Sequence, residues 1–207
     1  MPHPADSAAD LETLQRRLAP CRLCLERGLR VESMPVFSGH RDAEAILVGQ
    51  APGTVEARSG RPFSGPAGRR LRSWLEPAGL GDEEAFYGRL YIAAVVKCFP
   101  GKRPRGGDLR PSPAVVATCS PWLARELELV AAPLMLCAGT LALAQLVPGV
   151  ALEEAVGREL PGPGGRPLIA LPHPSGANPW PYLPGNRARL ERALELVAAR
   201  LAPSAGG

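Results

Sequence analysis

The chain has 207 residues, of which 24 are proline and 23 are glycine, roughly twice the share of these residues in an average protein. A hydrophobic fraction of 45% and a charged fraction of 21% exclude disorder of the whole chain, because they allow a core to be buried. The net charge of +4 permits a polyanionic partner without requiring one. We expect a single domain over residues 10–202, with flexible tails at residues 1–9 and 203–207.

The chain lacks the sequence features of membrane and secreted proteins. No apolar run approaches the roughly 18 residues of a membrane span, and the N-terminus, with Asp6, Asp10 and Glu12, has no apolar signal-peptide core. We therefore expect a cytoplasmic protein without membrane contact, and a monomer. In a reducing compartment its five cysteines are expected to be free or metal-bound rather than disulfide-linked.

Four short aliphatic runs predict the strands of a sheet. Each run is continuous rather than alternating, as in strands that are covered on both faces. Helical patterns separate the runs, which predicts a three-layer α/β/α fold around a central four-stranded, mainly parallel sheet. The predicted strands are residues 45–48, 90–96, 133–137 and 167–171. The predicted helices are residues 67–78, 113–130, 140–146 and 186–201.

The loops that follow the strands are the expected functional site, because ligands of parallel sheets bind beyond the carboxyl ends of the strands. The loop 49–65 is rich in glycine, which lets backbone amides approach a ligand. It contains neither G-x-G-x-x-G nor a P-loop lysine, which disfavours a dinucleotide or nucleoside triphosphate enzyme. The last of these loops carries His173. The basic loop, residues 101–110, holds four positive charges and one negative, as in a solvated loop or a phosphate-contact surface.

Four cysteines have a spacing that suits a metal centre. Cys21 and Cys24 form a C-x2-C pair after a short amphipathic helix, and Cys98 and Cys119 follow far along the chain. The close pair can bind one centre, and the distant pair can complete four sulfur ligands. Tetrahedral zinc, a [4Fe–4S] cluster and unmetallated thiols all fit this spacing. Cys137 lies within a predicted strand and is expected to be a small buried apolar residue.

Taken together, these segments resemble the uracil-DNA glycosylase superfamily, and in particular its iron–sulfur branch, family 4. The resemblance covers roughly residues 14–201 and depends on short motifs whose order and spacing are jointly specific. The motifs are C-x2-C at Cys21 and Cys24, Gly49-Gln50-Ala51-Pro52-Gly53 with Glu56, Gly60-Arg61-Pro62-Phe63-x-Gly65-x-Ala67-Gly68, Val95-Val96-Lys97-Cys98, Cys119-x2-Trp122-Leu123 and His173-Pro174-Ser175. The resemblance implies a [4Fe–4S] cluster whose ligands are Cys21, Cys24, Cys98 and Cys119.

The resemblance also implies a monofunctional DNA glycosylase of base excision repair, which flips uracil or another deaminated base out of DNA and hydrolyses its N-glycosidic bond. His173 is then expected to donate a hydrogen bond to the base as negative charge develops. Glu56 and Gln50 are expected to position water and stabilise the sugar cation, and Phe63 to stack on the base. The other implied substrate-binding residues are Gly49, Ala51, Gly53, Ala94, Ser175 and Asn178. The implied DNA phosphate contacts are Lys102, Arg103, Arg105 and Arg110.

Three positions depart from the family 4 pattern. Gln50 stands where the family commonly has glutamate, and Ala57 where it commonly has an acidic residue. Ala94 stands where an asparagine usually reads the uracil edge. A hydrogen-bonding pocket discriminates because a wrong base leaves its polar groups unpaired, so Ala94 weakens the selection of uracil. Asn178 is the candidate substitute, and hypoxanthine and xanthine are alternative bases.

Other functions are compatible with parts of this pattern. An iron–sulfur DNA-binding protein of the same fold, with weak or no glycosylase activity, is the main alternative, because Gln50 and Ala94 would allow the loss of catalysis. A zinc-bound α/β hydrolase is disfavoured, because the chain has neither a Ser/His/Asp set nor clustered histidine ligands. Covalent capture of the sugar uses a basic-loop histidine in a related branch, and residues 101–112 contain none.

Overall fold

The computed structural model describes residues 3–6, 8–104 and 106–202. Its strands form one sheet, and its helices pack around that sheet. The sheet has five strands in the order β2-β1-β3-β5-β4. The strands are β1 (Ala45–Gly49), β2 (Leu90–Ala94), β3 (Leu134–Ala138), β4 (Glu159–Pro161) and β5 (Pro167–Leu171). The helices are α1 (Leu11–Leu18), α2 (Leu23–Glu26), α3 (Thr54–Ser59), α4 (Pro66–Leu75), α5 (Glu83–Arg89), α6 (Pro113–Leu129), α7 (Thr140–Leu146), α8 (Leu152–Ala155) and α9 (Asn186–Leu201).

The predicted α/β fold with a mainly parallel sheet is confirmed. All four predicted strands form, and β1 pairs in parallel with β2 and β3, as β3 does with β5. The predicted count of four strands is short by one, because β4 joins β5 as an antiparallel edge strand. The three residues of β4 are exposed or half-buried, so β4 has no apolar run by which the sequence could have predicted it.

Burial on both faces explains the continuous apolar runs of the strands. Every residue of β1, β2 and β3 is buried, so these strands have no solvent-facing positions for polar residues. Cys137 is fully buried within β3, as predicted, and burial raises the pKa of its thiol to about 12.

Proline residues account for two features of the helices. The predicted helix 67–78 is divided into α4 and a 3₁₀ turn at Glu76–Ala78, because Pro77 has no N–H to continue the α-helical pattern. Pro121 lies inside α6 and leaves the carbonyl of Ala117 without its usual helical donor. The Ser120 hydroxyl donates to that carbonyl at 3.2 Å.

The part of the chain that the structure describes includes no helix that is both long and apolar enough to cross a membrane.

The described part of the predicted N-terminal tail packs against α6. Ala5 and Ala8 are buried, and the Arg125 guanidinium donates to the carbonyl of Ala8 at 2.6 Å. The ring of His3 meets Trp122 edge-on, with 5.0 Å between the ring centroids. Residues 1, 2 and 7 and the predicted C-terminal tail, residues 203–207, lie outside the described residues.

The first turn of α4 is in direct contact with the preceding loop. A Cβ atom at Gly68 would lie 1.6 Å from the carbonyl oxygen of Phe63. Gly68→Ala is therefore expected to lower the free energy of unfolding by at least about 1–3 kcal/mol, because the loop must move to relieve the clash. Chemical denaturation followed by circular dichroism measures the change.

Gly88→Ala is the matched control for this substitution. Gly88 lies in α5, and a Cβ atom there would meet nothing within 4 Å outside the local helix backbone. Alanine should stabilise this position by about 0.4–1 kcal/mol, because it restricts the unfolded chain. Equal stability of Gly68→Ala and the unsubstituted protein would contradict the close contact.

Candidate active site

A cavity of about 510 Å³ lies at the carboxyl ends of β1 and β2, where a parallel sheet is expected to bind ligands. Its walls come from the β1 loop (residues 50–65), the end of β2, the basic loop and the β5 loop (residues 172–184). The predicted site residues that line it are Gly49, Gln50, Ala51, Gly53, Glu56, Phe63, Ala94, Arg103, His173 and Ser175. The loops that were selected from the sequence therefore meet around one cavity.

Glu56 clamps the β1 loop from within. Its Oε1 accepts a hydrogen bond from the Gly65 N–H at 2.7 Å, and its Oε2 accepts one from the Gly53 N–H at 3.1 Å. The residue is only 9% exposed. Sequence reasoning missed this clamp, although a glutamate at the third position of a helix is the signal of a capping box. Glu56 therefore lines the cavity with both of its carboxylate oxygens engaged by backbone.

Two carboxylates converge at Gly53. A Cβ atom there would lie 2.8 Å from Glu56 Oε2 and 3.0 Å from Asp108 Oδ2. Asp108 belongs to the basic loop and lines the same cavity. Sequence reasoning considered this loop for its cations and assigned no role to its one acidic residue, because nothing local indicates which loop faces Gly53.

Phe63 is held in a strained conformation at the cavity wall. Its φ of 52° lies in the left-handed region, which is uncommon for residues other than glycine and persists where the surroundings enforce it. Arg72 donates to its carbonyl at 3.3 Å. A Cβ atom at Gly49 would lie 3.0 Å from the tip of its ring, and the ring meets Phe86 edge-on at 6.4 Å. The half-buried ring thus contacts the core while lining the cavity.

His173 has a defined tautomer. Its Nδ1 accepts a hydrogen bond from the Ser175 N–H at 3.2 Å, so the proton of the neutral ring lies on Nε2. Burial lowers the pKa of His173, with the charge of Asp108 acting in the opposite direction. The ring is therefore neutral near pH 7 and has an Nε2–H group to donate. A Cβ atom at Gly139 would lie 3.1 Å from the Cβ of His173, so glycine there allows the histidine to pack closely.

The basic loop forms a short hairpin at the mouth of the cavity. Lys102 and Asp108 pair across it as an antiparallel bridge, and the Arg103 N–H donates to the Gly107 carbonyl at 2.9 Å. Lys102, Arg103 and Arg110 are exposed. Arg105, also predicted to contact phosphate, lies outside the described residues.

The four predicted metal ligands line a second, small cavity of about 20 Å³. Cys21 follows α1, Cys24 lies in α2, Cys98 follows β2 and Cys119 lies in α6. Burial raises the pKa of the Cys98 thiol to about 12, and the nearby thiols of Cys119, Cys24 and Cys21 add to this shift. All five cysteines of the chain are free.

The walls of the cysteine cavity supply donors for sulfur. The backbone N–H of Lys97 donates to Cys119 Sγ at 3.3 Å. Trp122 lines the cavity, and its buried indole N–H has no hydrogen-bond partner among the described residues. By their chemistry, four thiols surrounded by N–H donors are the donor types that suit an iron–sulfur cluster. Within the described residues, no group of three or more His, Cys, Asp or Glu side chains is arranged to hold a metal ion.

Comparison with known proteins identifies the family. The family model described as "Uracil DNA glycosylase superfamily" matches residues 36–197. The chain belongs to the uracil DNA glycosylase superfamily. It is 30% identical over 188 residues to a type-4 uracil-DNA glycosylase of Thermotoga maritima, covering 90% of this chain and 89% of that protein. It is also 34% identical over 132 residues to a type-4 uracil-DNA glycosylase of Archaeoglobus fulgidus, covering 64% of this chain and 61% of that protein.

The ends of β1 and β2 meet in the wall of the cavity. Ala94, at the end of β2, lies in register with Gly49 of β1, and both line the cavity. Ala94 has no polar side-chain atoms with which to read a base. Gln50, the next residue after Gly49, also lines the cavity, and its side-chain amide makes no hydrogen bond to another described residue.

The side chain of Asn178 makes its hydrogen bonds within the β5 loop. Its amide nitrogen donates to the carbonyl of His173 at 2.8 Å, and its Oδ1 accepts a hydrogen bond from the Trp180 N–H at 3.1 Å. Both ends of the amide therefore brace the β5 loop of this superfamily member. Asn178 is not among the residues that line the cavity, so its reading of the base remains a prediction.

A buried ion pair connects the two cavities of this glycosylase-family chain. Lys97 and Glu126 are 1% and 0% exposed and form an ion pair. Lys97 Nζ also donates to the carbonyl of Ala94 at 2.7 Å, and the Tyr91 hydroxyl donates to Glu126 Oε1 at 2.9 Å. Burial and the charge of Glu126 raise the pKa of Tyr91, so its hydroxyl remains a donor. Sequence reasoning treated Lys97 only as part of a motif, although a lysine after an apolar run is itself unusual.

The clamp at Glu56 can be tested by Glu56→Gln. We expect the free energy of unfolding to fall by about 1.5–3 kcal/mol, because a neutral amide cannot accept both backbone N–H groups as the carboxylate does. Glu195→Gln, at an exposed position of α9, should change it by less than about 0.5 kcal/mol. Chemical denaturation of the two variants makes the comparison, and equal losses would contradict the clamp.

Proposed function

We propose that the chain is a monofunctional DNA glycosylase that removes uracil or another deaminated base from DNA in base excision repair. The observation that carries this proposal is the neutral His173, whose Nε2 proton is available at a cavity formed by the three loops beyond the strands. The names of the type-4 relatives support uracil as a substrate.

An enzyme cannot reach the glycosidic bond of a base that is stacked in DNA, so the base must be flipped out. The cavity is the place that we assign to the flipped nucleotide. Phe63 offers a ring for stacking on the base. His173 Nε2–H donates to a base carbonyl as negative charge develops there, and it requires no ionisation of its own to do so. The negative charge of Glu56, fixed in the cavity wall, favours the developing sugar cation. Glu56 does this while its oxygens keep Gly53 and Gly65 together.

Gln50 is the group we assign to the polar edge of the base. Its unpaired amide offers one donor and one acceptor, which complement the adjoining C=O and N–H groups that uracil, hypoxanthine and xanthine share. Ala94 beside it adds no polar discrimination. This arrangement supports removal of more than one deaminated base.

DNA is the proposed partner, and the exposed basic loop is the proposed phosphate contact. Arg103 lines the cavity, Lys102 and Arg110 are exposed in the same loop, and Arg105 also belongs to this loop. Such contacts make binding salt-dependent. We also propose that the protein acts in the cytoplasm as a monomer, since the residues assigned to the base and the sugar line one cavity of one chain.

We further propose that Cys21, Cys24, Cys98 and Cys119 bind a [4Fe–4S] cluster. The support is their shared cavity, the absence of nitrogen or oxygen ligands in their set, and the N–H groups of Lys97 and Trp122 in its walls. A bound cluster supplies a covalent connection between α2, the end of β2 and α6. The base chemistry takes place in the other cavity.

Iron analysis tests the cluster. The protein purified without oxygen is expected to be brown, with broad visible absorption and about four irons per chain. Cys98→Ala should remove most of the iron, whereas Cys137→Ala, in the buried interior of β3, should retain it. A colourless protein with one zinc per chain would overturn the assignment.

A panel of oligonucleotides tests the activity. Single-turnover assays with uracil, hypoxanthine and xanthine in one sequence context should show an abasic product at least with uracil. His173→Ala is expected to slow release by about 10²-fold, because the donor to the developing anion is lost. His40→Ala is the matched control, since His40 is exposed and bonds to Gly88 in α5.

The same panel separates the two main alternatives. An absence of abasic product with every base would overturn the glycosylase proposal. Salt-dependent binding of DNA without release would then favour an iron–sulfur DNA-binding protein of the same fold.

A further inference from the structure

The β1 loop offers no free carboxylate to accept a proton from the attacking water. Hydrolysis of the glycosidic bond needs a group that accepts a proton from the attacking water. Gln50 is an amide, and Ala57 has no polar side chain. Each oxygen of Glu56 already accepts a backbone N–H, and the residue is buried. A free acidic group must therefore come from another wall of the cavity.

Asp108 is placed to be that group. It lines the cavity, and its Oδ2 lies 3.0 Å from the place that a Cβ atom at Gly53 would occupy, beside Glu56 Oε2 at 2.8 Å from the same place. Glu56 is buried, whereas Asp108 is exposed at the mouth of the cavity. Water can therefore reach the carboxylate of Asp108.

The position of Asp108 is fixed by backbone contacts on both sides of it. It pairs with Lys102 across the hairpin, and the neighbouring Leu109 N–H donates to the Gly101 carbonyl at 2.8 Å. The bare Cα of Gly53 leaves the space that the carboxylate occupies. Asp108 is thus presented to the cavity by a closed turn rather than by a free loop.

The electrostatic surroundings suit a proton acceptor. Partial burial raises the pKa of Asp108 and the charge of Glu56 adds to this shift, while Lys102, a hydrogen bond with the Thr54 side chain and the charge of His173 lower the pKa; the net shift is upward. A carboxylate with a raised pKa holds a proton more readily than a free aspartate. Asp108 also acts on the pKa of His173, so the two residues share one electrostatic environment, with His173 at the base end.

We infer that Asp108 is a catalytic carboxylate that faces the sugar, stabilises its positive charge and accepts the proton of the attacking water. This inference rests on the proposed glycosylase function. The bond between C1′ and the base nitrogen breaks, and its electron pair leaves with the base, whose carbonyl oxygen accepts the hydrogen bond from His173. The water oxygen bonds to C1′ as its proton passes to Asp108. That proton then passes to the departed base, which leaves an abasic sugar, a neutral base and the Asp108 carboxylate.

The first test compares single-turnover base release by Asp108→Asn and by the unsubstituted protein. We expect release to slow by about 10²-fold or more, since the amide neither accepts the proton nor carries negative charge. Asp42→Asn, at an exposed position before β1, is the matched control and should release base at the normal rate. Release by Asp108→Asn within threefold of the normal rate would overturn the inference.

The second test needs no turnover. Oligonucleotides that carry a cationic pyrrolidine or a neutral tetrahydrofuran in place of the target sugar are compared as ligands. The unsubstituted protein should prefer the cationic analogue, and Asp108→Asn should lose about tenfold in affinity for it while it binds the neutral analogue normally. Equal weakening of both analogues would overturn the inference, because it would indicate only a role in shaping the loop.

The two tests also distinguish failure of the inference from failure of the proposed function. If the unsubstituted protein releases none of the bases, the proposed function fails. The analogue comparison then decides on Asp108 by itself: a cation preference that disappears in Asp108→Asn supports the inference, and no preference in the unsubstituted protein overturns it.

Discussion

The buried ion pair between Lys97 and Glu126 is the interaction on which both cavities depend. It connects the segment after β2 to the last turn of α6, and Lys97 also bonds to the carbonyl of Ala94. Ala94 lines the larger cavity. The smaller cavity is lined by Cys98, which follows Lys97 in the chain, and by Cys119 of α6. One salt bridge therefore sets the positions of residues in both sites.

The energetics of this pair argue for a positioning role more than for stability. Removing one partner of a buried pair costs about 3–5 kcal/mol, because a charge is left unpaired, whereas replacing both with apolar residues is often neutral. Glu126 is shared by Lys97 and Tyr91, so three side chains from β2, its following turn and α6 must meet in one arrangement. Few alternative packings of α6 on the sheet satisfy all three.

The second constraint on the site is the close approach of loop backbone to neighbouring groups. It explains why several positions of the β1 loop and of α4 are glycine. At Gly53 a side chain would collide with the carboxylates of Glu56 and Asp108, and at Gly68 with the carbonyl of Phe63. Gly49 leaves room for the ring of Phe63. In this region glycine allows close contact between loops.

The sequence by itself determined the four parallel strands, four of the helices and the family. Apolar runs predicted all four parallel strands, helical patterns predicted α7 and α9 to the residue, and motif order indicated the superfamily to which the chain belongs. Only the tertiary structure decided that β4 extends the sheet, that Asn178 braces its own loop, that Glu56 clamps the β1 loop and that Asp108 faces Gly53. The reason is physical: periodicity and capping depend on neighbours within a few residues, whereas the side chains that meet in a cavity depend on how distant loops are placed by the packed sheet.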